Sequence, residues 1–161
     1  MIKLRRATRK DCRLIWQWAN DPEVRAVSFA PEPILYEDHV NWYETRLNDA
    51  GCCIYIADDI AENSDLESVG QIRFDLKGQE AVISISLDRK FRGQGRGARI
   101  IELASRAFLE TSDARIIHAY IKKDNATSLA AFKKAGFSSV KSVLVANQPA
   151  HHLILGREEK S

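Results

Sequence analysis

The chain has 161 residues, of which 45% are hydrophobic and 29% are charged. This composition is ordinary for a soluble globular protein and is enough to build a core, so we predict one domain over residues 1–161. The net charge is +2, which gives no reason to expect a nucleic acid or a membrane as a partner.

The cysteines and the N-terminus bear on the cellular setting. The three cysteines are Cys12, Cys52 and Cys53, and this odd number, with two of them adjacent, matches neither a disulfide framework nor the spacing of metal ligands. Cys52 and Cys53 lie in an apolar run and are predicted to be buried. No stretch resembles a signal peptide or is apolar enough to span a bilayer, so we predict a cytoplasmic protein without a bound metal.

The hydrophobic pattern predicts helices interspersed among mostly antiparallel strands, which is a mixed α/β (α+β) fold. Asp11 is placed to cap the first helix, Asn20-Asp21-Pro22 to end it, and Gly136 to end the last helix. A turn is predicted at 62–65 and a loop at 28–33. In chain order, the predicted elements are a strand at 2–8, helices at 11–19 and 36–47, strands at 52–57, 69–74 and 81–87, a helix at 99–110, a strand at 115–121, a helix at 125–135, and strands at 139–146 and 151–156.

The strongest functional signal is the segment F-R-G-Q-G-R-G-A at residues 91–98. It follows a predicted strand and precedes a predicted helix, and this arrangement binds phosphate in many proteins. The amide groups of the first helical turn point outward, and the helix dipole favours an anion there. Glycine lets the backbone approach the anion closely, and Arg92 and Arg96 can add charge-assisted hydrogen bonds.

Three kinds of phosphate loop can be compared with this segment. A Walker loop ends in Gly-Lys-Ser/Thr, whereas Gly97 is followed by Ala98 and Arg99. A dinucleotide fingerprint has G-x-G-x-x-G near the start of a Rossmann unit, whereas the spacing here is G-x-G-x-G and comes late in the chain. The pattern R/Q-x-x-G-x-G/A fits Arg92, Gly95 and Gly97. A flexible surface turn is the remaining alternative.

A second motif follows the glycine-rich segment after one predicted strand. Residues 124–137 have the sequence D-N-A-T-S-L-A-A-F-K-K-A-G-F and match the pattern N-x-x-S/A-x-x-x-Y/F-x-K-x-G-F. With both motifs in this order, the chain resembles the GCN5-related N-acetyltransferases (GNAT family), in which R/Q-x-x-G-x-G/A is the pyrophosphate loop. The matching positions of the second motif are Asn125, Ser128, Phe132, Lys134, Gly136 and Phe137.

The resemblance implies a fold and a co-substrate. The GNAT fold is a twisted mixed sheet with flanking helices, in which two central parallel strands, here 81–87 and 115–121, splay apart. Acetyl-CoA would enter between them, with its pantetheine arm paired to backbone near Leu87 and its pyrophosphate on loop 92–97. The implied cofactor contacts are Leu87, Arg92, Gly93, Gln94, Gly95, Arg96, Gly97, Ala98, Asn125, Ser128, Phe132 and Lys134.

Two segments near the N-terminus indicate which branch of the family the chain resembles. Residues 16–25, W-Q-W-A-N-D-P-E-V-R, and 37–42, E-D-H-V-N-W, are similar to the branch that acetylates nucleotide-linked amino sugars, such as the pseudaminic acid pathway acetyltransferase. The element N-D-P-E-V-R also occurs in branches that acetylate protein N-termini. We therefore expect Arg25, His39 and Trp42 to contact the substrate, with Arg25 on a phosphate. The alternatives are a solvated arginine, a helix-surface histidine and a core tryptophan.

Acetyl transfer needs a base for the amine proton and a donor for the tetrahedral oxyanion. A backbone N–H near Leu87 is the candidate oxyanion donor. His39 is one candidate base. His118 and Tyr120 share one face of a strand, where one of them can relay a proton through water. The alternative for these two is a hydrogen-bonded histidine and a packed tyrosine.

Four further positions complete the list of candidates. Ser86 shares a strand face with Ser84 and can position the relaying water. His151 and His152 lie at the start of the predicted last strand and are interpreted as non-catalytic. Phe132 departs from the family, which often has a tyrosine there to protonate the departing thiolate. Phenylalanine has no such proton, so the acid role is unfilled or lies elsewhere.

We therefore predict an acetyl-CoA-dependent N-acetyltransferase acting on a small primary amine, the amino group of a nucleotide-linked amino sugar. One alternative is a protein N-terminal acetyltransferase of the ribosomal-protein type. A second is an acyl-CoA-binding module without catalysis, which Phe132 and the lack of an evident carboxylate base leave open. The sequence also leaves a homodimer open.

Overall fold

The computed structural model describes residues 1–63 and 65–158, and within them seven strands form one sheet with helices on both faces. The predicted turn at 62–65 includes Ser64, which lies outside the described residues. The strands are β1 (Ile2–Arg6), β2 (Cys52–Ile60), β3 (Leu66–Lys77), β4 (Glu80–Leu87), β5 (Ile116–Lys122), β6 (Ser138–Val145) and β7 (Gln148–Gly156). The helices are α1 (Cys12–Ala19), α2 (Pro22–Ala26), α3 (Tyr36–Leu47), α4 (Arg96–Thr111) and α5 (Ala126–Lys134), with 3-10 turns at Arg9–Asp11 and Arg89–Phe91.

The sheet contains the predicted diverging pair of strands. Its order is β1-β2-β3-β4-β5-β7-β6, and across the described ranges every neighbouring pair is antiparallel except β4 and β5. These two strands pair only from Glu80–Ile116 to Val82–His118. Beyond that point residues 83–87 of β4 and 119–122 of β5 are unpaired with each other, and we call the space between them the gap. The predicted fold is confirmed.

Each face of the sheet carries its own hydrophobic core. On one face α4 and α5 pack over the central strands, where the rings of Phe74 and Phe108 stack with centroids 4.3 Å apart. On the other face α1 and α3 bury Trp18 and Tyr43. Burying each such aromatic side chain stabilises the fold by about 1.5–3 kcal/mol. The predicted burial of Cys52 and Cys53 is confirmed.

The start of the helical region differs from the prediction at Asp11. Thr8 caps the 3-10 turn, and Asp11 accepts hydrogen bonds from the Thr8 amide at 2.8 Å and from Arg5 at 2.9 Å. Burial alone would raise the pKa of the Asp11 carboxyl, but these hydrogen bonds outweigh it and hold the pKa below its ordinary value. Asp11 therefore joins β1 to the helical region instead of capping a helix with its side chain.

Several element boundaries also differ from those predicted, among them those just after α1 and at the start of β7. Residues Asn20-Asp21-Pro22 end α1, as predicted, and they also begin the short helix α2. Asp21 caps α2 by accepting a hydrogen bond from the Glu23 amide at 2.9 Å, and Pro22 lies in its first turn. Strand β7 begins at Gln148 and not at 151, after a two-residue turn at 146–147 in which both residues have positive φ. No helix of the described residues has the length and apolar character that crossing a bilayer requires.

Candidate active site

The gap offers backbone hydrogen-bonding groups along its β4 side. Asp88 donates its N–H to the Val69 carbonyl at 2.7 Å, so the backbone of residue 88 faces β3. Because successive residues of a strand direct their backbone groups to opposite sides, Ile85 and Leu87 direct theirs into the gap. An extended chain with amide groups, such as pantetheine, can pair with this edge, as predicted for Leu87.

The glycine-rich loop leads directly into the N-terminus of α4. Gly93 and Gly95 have φ values of 74° and 77°, in the left-handed region that glycine adopts without a steric penalty. Gly95 is the N-cap, and among the described residues no side chain caps this helix. The amides of its first turn are thus oriented into the loop, as an anion site requires. A Cβ at Gly97 would lie 3.4 Å from Leu87 Cδ1, so α4 begins against the end of β4.

The two loop arginines, predicted to contact phosphate, bond to protein groups in this structure. Arg92 donates to the Leu87 carbonyl from Nε at 3.1 Å and from Nη2 at 2.9 Å, and Nη1 bonds to Glu23 at 2.7 Å. Arg96 forms an ion pair with Asp59 at 2.7 Å. In this arrangement the guanidinium groups brace the loop against β4, α2 and β2, which leaves the backbone amides as the groups facing a phosphate.

The other two predicted loop residues contribute in different ways. Gln94 is exposed and donates to the Lys90 carbonyl at 3.2 Å, which closes the loop on itself. Ala98 is buried in the first turn of α4. It can meet a cofactor only through its backbone amide.

Asn125 and Ser128 lie where β5 ends beside the gap. The Asn125 amide donates to Lys122, the last residue of β5, at 2.9 Å. Its side-chain oxygen caps α5 by accepting from the Ser128 amide at 3.2 Å. The Nδ2 group of Asn125 and the hydroxyl of Ser128 are the groups that can bond to a pantetheine arm.

Phe132 and Lys134 are placed less favourably for cofactor contact. The Phe132 ring is buried in the core and meets Phe137 edge to face with centroids 5.1 Å apart. Lys134 is exposed in the last turn of α5, about 14 Å along the helix axis from Asn125. A lysine there complements the helix dipole, so its place in the motif has a structural explanation without the cofactor.

Phe132→Tyr is expected to change kcat by less than about tenfold, which is about 1.4 kcal/mol of barrier. The added hydroxyl would enter a packed core, and a thiolate whose thiol has a pKa near ~8.5 is a tolerable leaving group near neutral pH. We expect wild-type kcat/KM to rise with pH and then level off, without the falling limb of a titrating tyrosine near pH ~10. Steady-state kinetics of both proteins check this. A bell-shaped wild-type profile would contradict it, and loss of the upper limb in Tyr120→Phe would assign the acid to Tyr120.

The structure brings together His118 and Tyr120 with His152, which the sequence had suggested to be non-catalytic. The Tyr120 ring stacks on that of His152 at 4.7 Å between centroids, and His118 stacks on His152 at 5.0 Å. His118 Nδ1 lies 2.7 Å from His152 Nε2, and its Nε2 lies 3.0 Å from Glu80 Oε1. Tyr120 pairs with His152 across β5 and β7, a register that no sequence pattern indicated.

The predicted serine pair lies on β4 with a polar partner for each hydroxyl. Ser86 is buried and accepts from Gln71 Nε2 at 3.2 Å. Ser84 accepts from Arg73 Nη2 at 3.3 Å. Both lie on the strand face shared with Val82, the residue that pairs with His118. The predicted role of Ser86 in positioning a water stays a prediction.

His39 is a core residue, which corrects its predicted contact with the substrate. Its side chain is only 3% exposed, and Nε2 lies 2.9 Å from the Cys12 carbonyl, to which it donates. The ring stacks on Tyr43 at 5.7 Å between centroids. Burial lowers the pKa of the imidazole despite the hydrogen bond. His39 therefore joins α3 to α1 in its neutral form.

Arg25 and Trp42 also have structural partners. Arg25 donates to the carbonyls of Ala19 and Ala30, both at 2.7 Å. The ring of Trp42 packs beneath the guanidinium of Arg73, 5.0 Å from its centroid. The three residues expected to form a substrate site therefore all have partners within the protein, and Arg25 holds the loop that follows α2.

This loop covers one end of the histidine face. Lys122 of β5 donates to the Ala26 carbonyl at 3.4 Å, and Gln148 of β7 donates to the Phe29 carbonyl at 2.8 Å. We call residues 26–30 the cover segment. The carbonyls of Ala26 and Phe29 accept hydrogen bonds from residues roughly a hundred positions away in the sequence. The sequence gives no signal for these contacts, because any polar side chain can donate to a backbone carbonyl.

The comparisons with known proteins agree with this geometry. A family model described as an acetyltransferase (GNAT) domain matches residues 2–138. The uncharacterised protein MJ1062 of Methanocaldococcus jannaschii is 25% identical over 143 residues, which is 87% of this chain but only 28% of that protein. The chain thus spans less than a third of that curated relative.

Solved structures share the fold at lower identity. A domain from Methanocaldococcus jannaschii superposes with a TM-score of 0.83 at 19% identity, covering 98% of this chain and 99% of that one. Spermidine N-acetyltransferase from Vibrio cholerae, in complex with CoA and spermine, gives 0.82 at 15% identity, covering 96% and 95%. AAC(6')-Ib with ribostamycin and coenzyme A gives 0.80 at 19%, covering 97% and 93%. With its family model spanning the gap, the glycine loop and α5, the chain belongs to the acetyltransferase (GNAT) family, whose members are N-acetyltransferases that use acetyl-CoA.

Proposed function

We propose that this protein transfers the acetyl group of acetyl-CoA to a small primary amine. The observation that carries the proposal is the gap between β4 and β5, which opens beside a glycine loop and an uncapped helix N-terminus. These supply backbone partners for pantetheine and for a pyrophosphate. The solved complexes of relatives with CoA and an aminoglycoside or a polyamine support an amine acceptor.

The chemistry follows from where these groups lie. The amine nitrogen attacks the thioester carbonyl carbon, the carbonyl oxygen gains negative charge, and the C–S bond then breaks with its electron pair on sulfur. The N–H groups of Ile85 and Leu87 face the gap and are suited to bond the oxyanion. The amine acts as a nucleophile only without its extra proton, so a base is needed on the acceptor side.

For the acceptor we propose the amino group of a nucleotide-linked amino sugar. The similarity of residues 16–25 and 37–42 to that branch supports it, whereas Arg25, His39 and Trp42 offer no direct support because they bond within the protein. The cover segment argues against an extended peptide, because two hydrogen bonds close it over the end of the face where a peptide would leave. A remote diphosphate would also supply binding energy.

A panel of acceptors tests the substrate. We expect kcat/KM for a nucleotide-linked amino sugar to exceed that for the free amino sugar by more than about tenfold, or about 1.4 kcal/mol. CoA release is measured with both sugars, with polyamines and with N-terminal peptides. Preference for peptides would favour a protein N-terminal acetyltransferase. Acetyl-CoA binding without CoA release for any amine would favour a non-catalytic module.

A further inference from the structure

We propose that His152 is the general base that removes the proton from the acceptor amine, and that His118 and Glu80 hold it in the tautomer this requires. The inference rests on the proposed acetyl transfer. It is carried by the continuous contact from Glu80 Oε1 to His118 Nε2 at 3.0 Å and from His118 Nδ1 to His152 Nε2 at 2.7 Å.

With Glu80 ionised and both imidazoles neutral, these two contacts determine which nitrogen carries each hydrogen. An ionised carboxylate only accepts, so His118 Nε2 bears a hydrogen and donates it to Glu80. A neutral imidazole has one N–H, so His118 Nδ1 presents a lone pair and accepts from His152 Nε2. His152 then carries its hydrogen on Nε2, and the free lone pair lies on its Nδ1. That atom is the base.

The ring of His152 is held in place by stacking and lies one strand away from the gap. Tyr120 stacks on it with an interplanar angle of 10°, which restricts rotation of the imidazole. Tyr120 belongs to the part of β5 that borders the gap, and His152 pairs with Tyr120 from β7, on the side of β5 away from β4. The cover segment bonds to the same two strands, one at Lys122 and one at Gln148.

The surrounding charges suit a base that is neutral at physiological pH. Burial lowers the pKa of His152, and His118 and Lys141 add to the effect. Glu80 stabilises a positive charge on the pair, but its side chain is 60% exposed, so water screens it. The His152 imidazole should therefore be neutral, and able to accept a proton, at any pH above its lowered pKa. Activity should fall as the pH drops through that value.

With His152 as the base, every bond and proton of the acetyl transfer is accounted for. The amine nitrogen bonds to the carbonyl carbon, and the proton that the nitrogen must lose passes to His152 Nδ1. The thioester C–S bond breaks, and sulfur leaves as the CoA thiolate. His152 is then an imidazolium, whose proton returns to the solvent or to the thiolate.

His152→Gln tests the base directly. Glutamine places an amide N–H near the position of Nε2, so the contact with His118 is retained, while the Nδ1 lone pair is lost. We expect kcat to fall by about 100-fold, the low end for general-base catalysis, and its low-pH limb to disappear, with the acetyl-CoA Kd unchanged. His151→Gln is the matched control, one residue away and on the opposite face of β7, and should leave kcat unchanged.

Glu80→Gln tests the positioning role. Removing the carboxylate withdraws a charge that favours the imidazolium, so the low-pH limb should move to lower pH, and kcat should fall by about tenfold while KM is retained. Nitrogen-15 shifts of the histidine side chains give a readout without turnover. They should show His152 protonated on Nε2 and unprotonated on Nδ1.

The outcomes separate this inference from the proposed function. If CoA release continues and His152→Gln keeps kcat and its pH profile, His152 is not the base. If the nitrogen-15 shifts place the His152 hydrogen on Nδ1, the tautomer argument is wrong. A third outcome is that the nitrogen-15 shifts show the expected tautomer but no amine makes the wild type release CoA. In that case the proposed function is wrong, and the hydrogen-bonded arrangement of Glu80, His118 and His152 is still correct.

Discussion

Gly95→Val is expected to lower the affinity for acetyl-CoA by more than about 100-fold. Gly95 has a φ of 77° at the N-cap of α4, and a β-branched residue is strained there. If the backbone turns to relieve that strain, the first-turn amides no longer face the phosphates. Hydrogen bonds to a charged group are worth about 1.5–3 kcal/mol each, so losing two gives an effect of this size. Isothermal titration calorimetry measures it.

Gly78→Val is the matched control for this loop. Gly78 has a similar φ of 67°, and a Cβ added at either glycine would have no atom within 4 Å. It lies in the turn between β3 and β4, at the far end of β4 from the loop. Both variants should lose similar stability from backbone strain, and only Gly95→Val should lose acetyl-CoA affinity. Unchanged affinity in Gly95→Val would remove the loop from the cofactor site.

Gly70→Ala is expected to destabilise the fold by about 3 kcal/mol, at the upper end for overpacking a core. Gly70 is buried in β3 opposite Leu87, and a Cβ there would lie 2.6 Å from the Ser86 carbonyl oxygen and 2.7 Å from Leu87 Cδ2. The carbonyl belongs to a paired strand and cannot move alone, so β3 and β4 must separate. Thermal unfolding should show Tm lowered by about 6–12 °C.

Gly156→Ala provides the comparison within the same sheet. Gly156 ends β7, where a Cβ would meet nothing within 4 Å and φ is not positive. The same methyl addition should therefore leave Tm nearly unchanged. A Tm for Gly70→Ala as high as that of Gly156→Ala would show that β3 and β4 accommodate the methyl group without separating.

The elements that could be predicted are those whose physical cause is local. The glycines at 93 and 95 mark the loop because few other residues adopt the positive φ found there, and the alternation in β4 and β5 marks two strands. Helix α2 is not among the predicted elements, although an aspartate followed by a proline is a local signal for the start of a helix. The same two residues are also typical of the end of a helix, and as such they predict the end of α1. The family motifs then supplied the diverging strands, which periodicity does not give.

The contacts that could not be predicted join residues far apart in the sequence. Arg92 is a suitable phosphate ligand by its position, but its partner Glu23 is 69 positions away. From its position in helix α3 alone, His39 looks like a surface residue, but packing of α1 against α3 buries it. The position of His152 beside Tyr120 depends on the pairing of β7 with β5, and pairing register is set by the whole sheet.

The contacts of Arg92 link the end of β4, beside the expected cofactor site, to α2 and through it to the cover segment. One guanidinium holds the carbonyl at the end of β4 and the carboxylate of Glu23 in α2, and α2 runs directly into the cover segment. A ligand that changes the position of the loop would, through this link, also change the free energy of α2 and the cover segment. Coupling of this kind is reciprocal, so any factor by which the cofactor alters acceptor affinity is the factor by which the acceptor alters cofactor affinity.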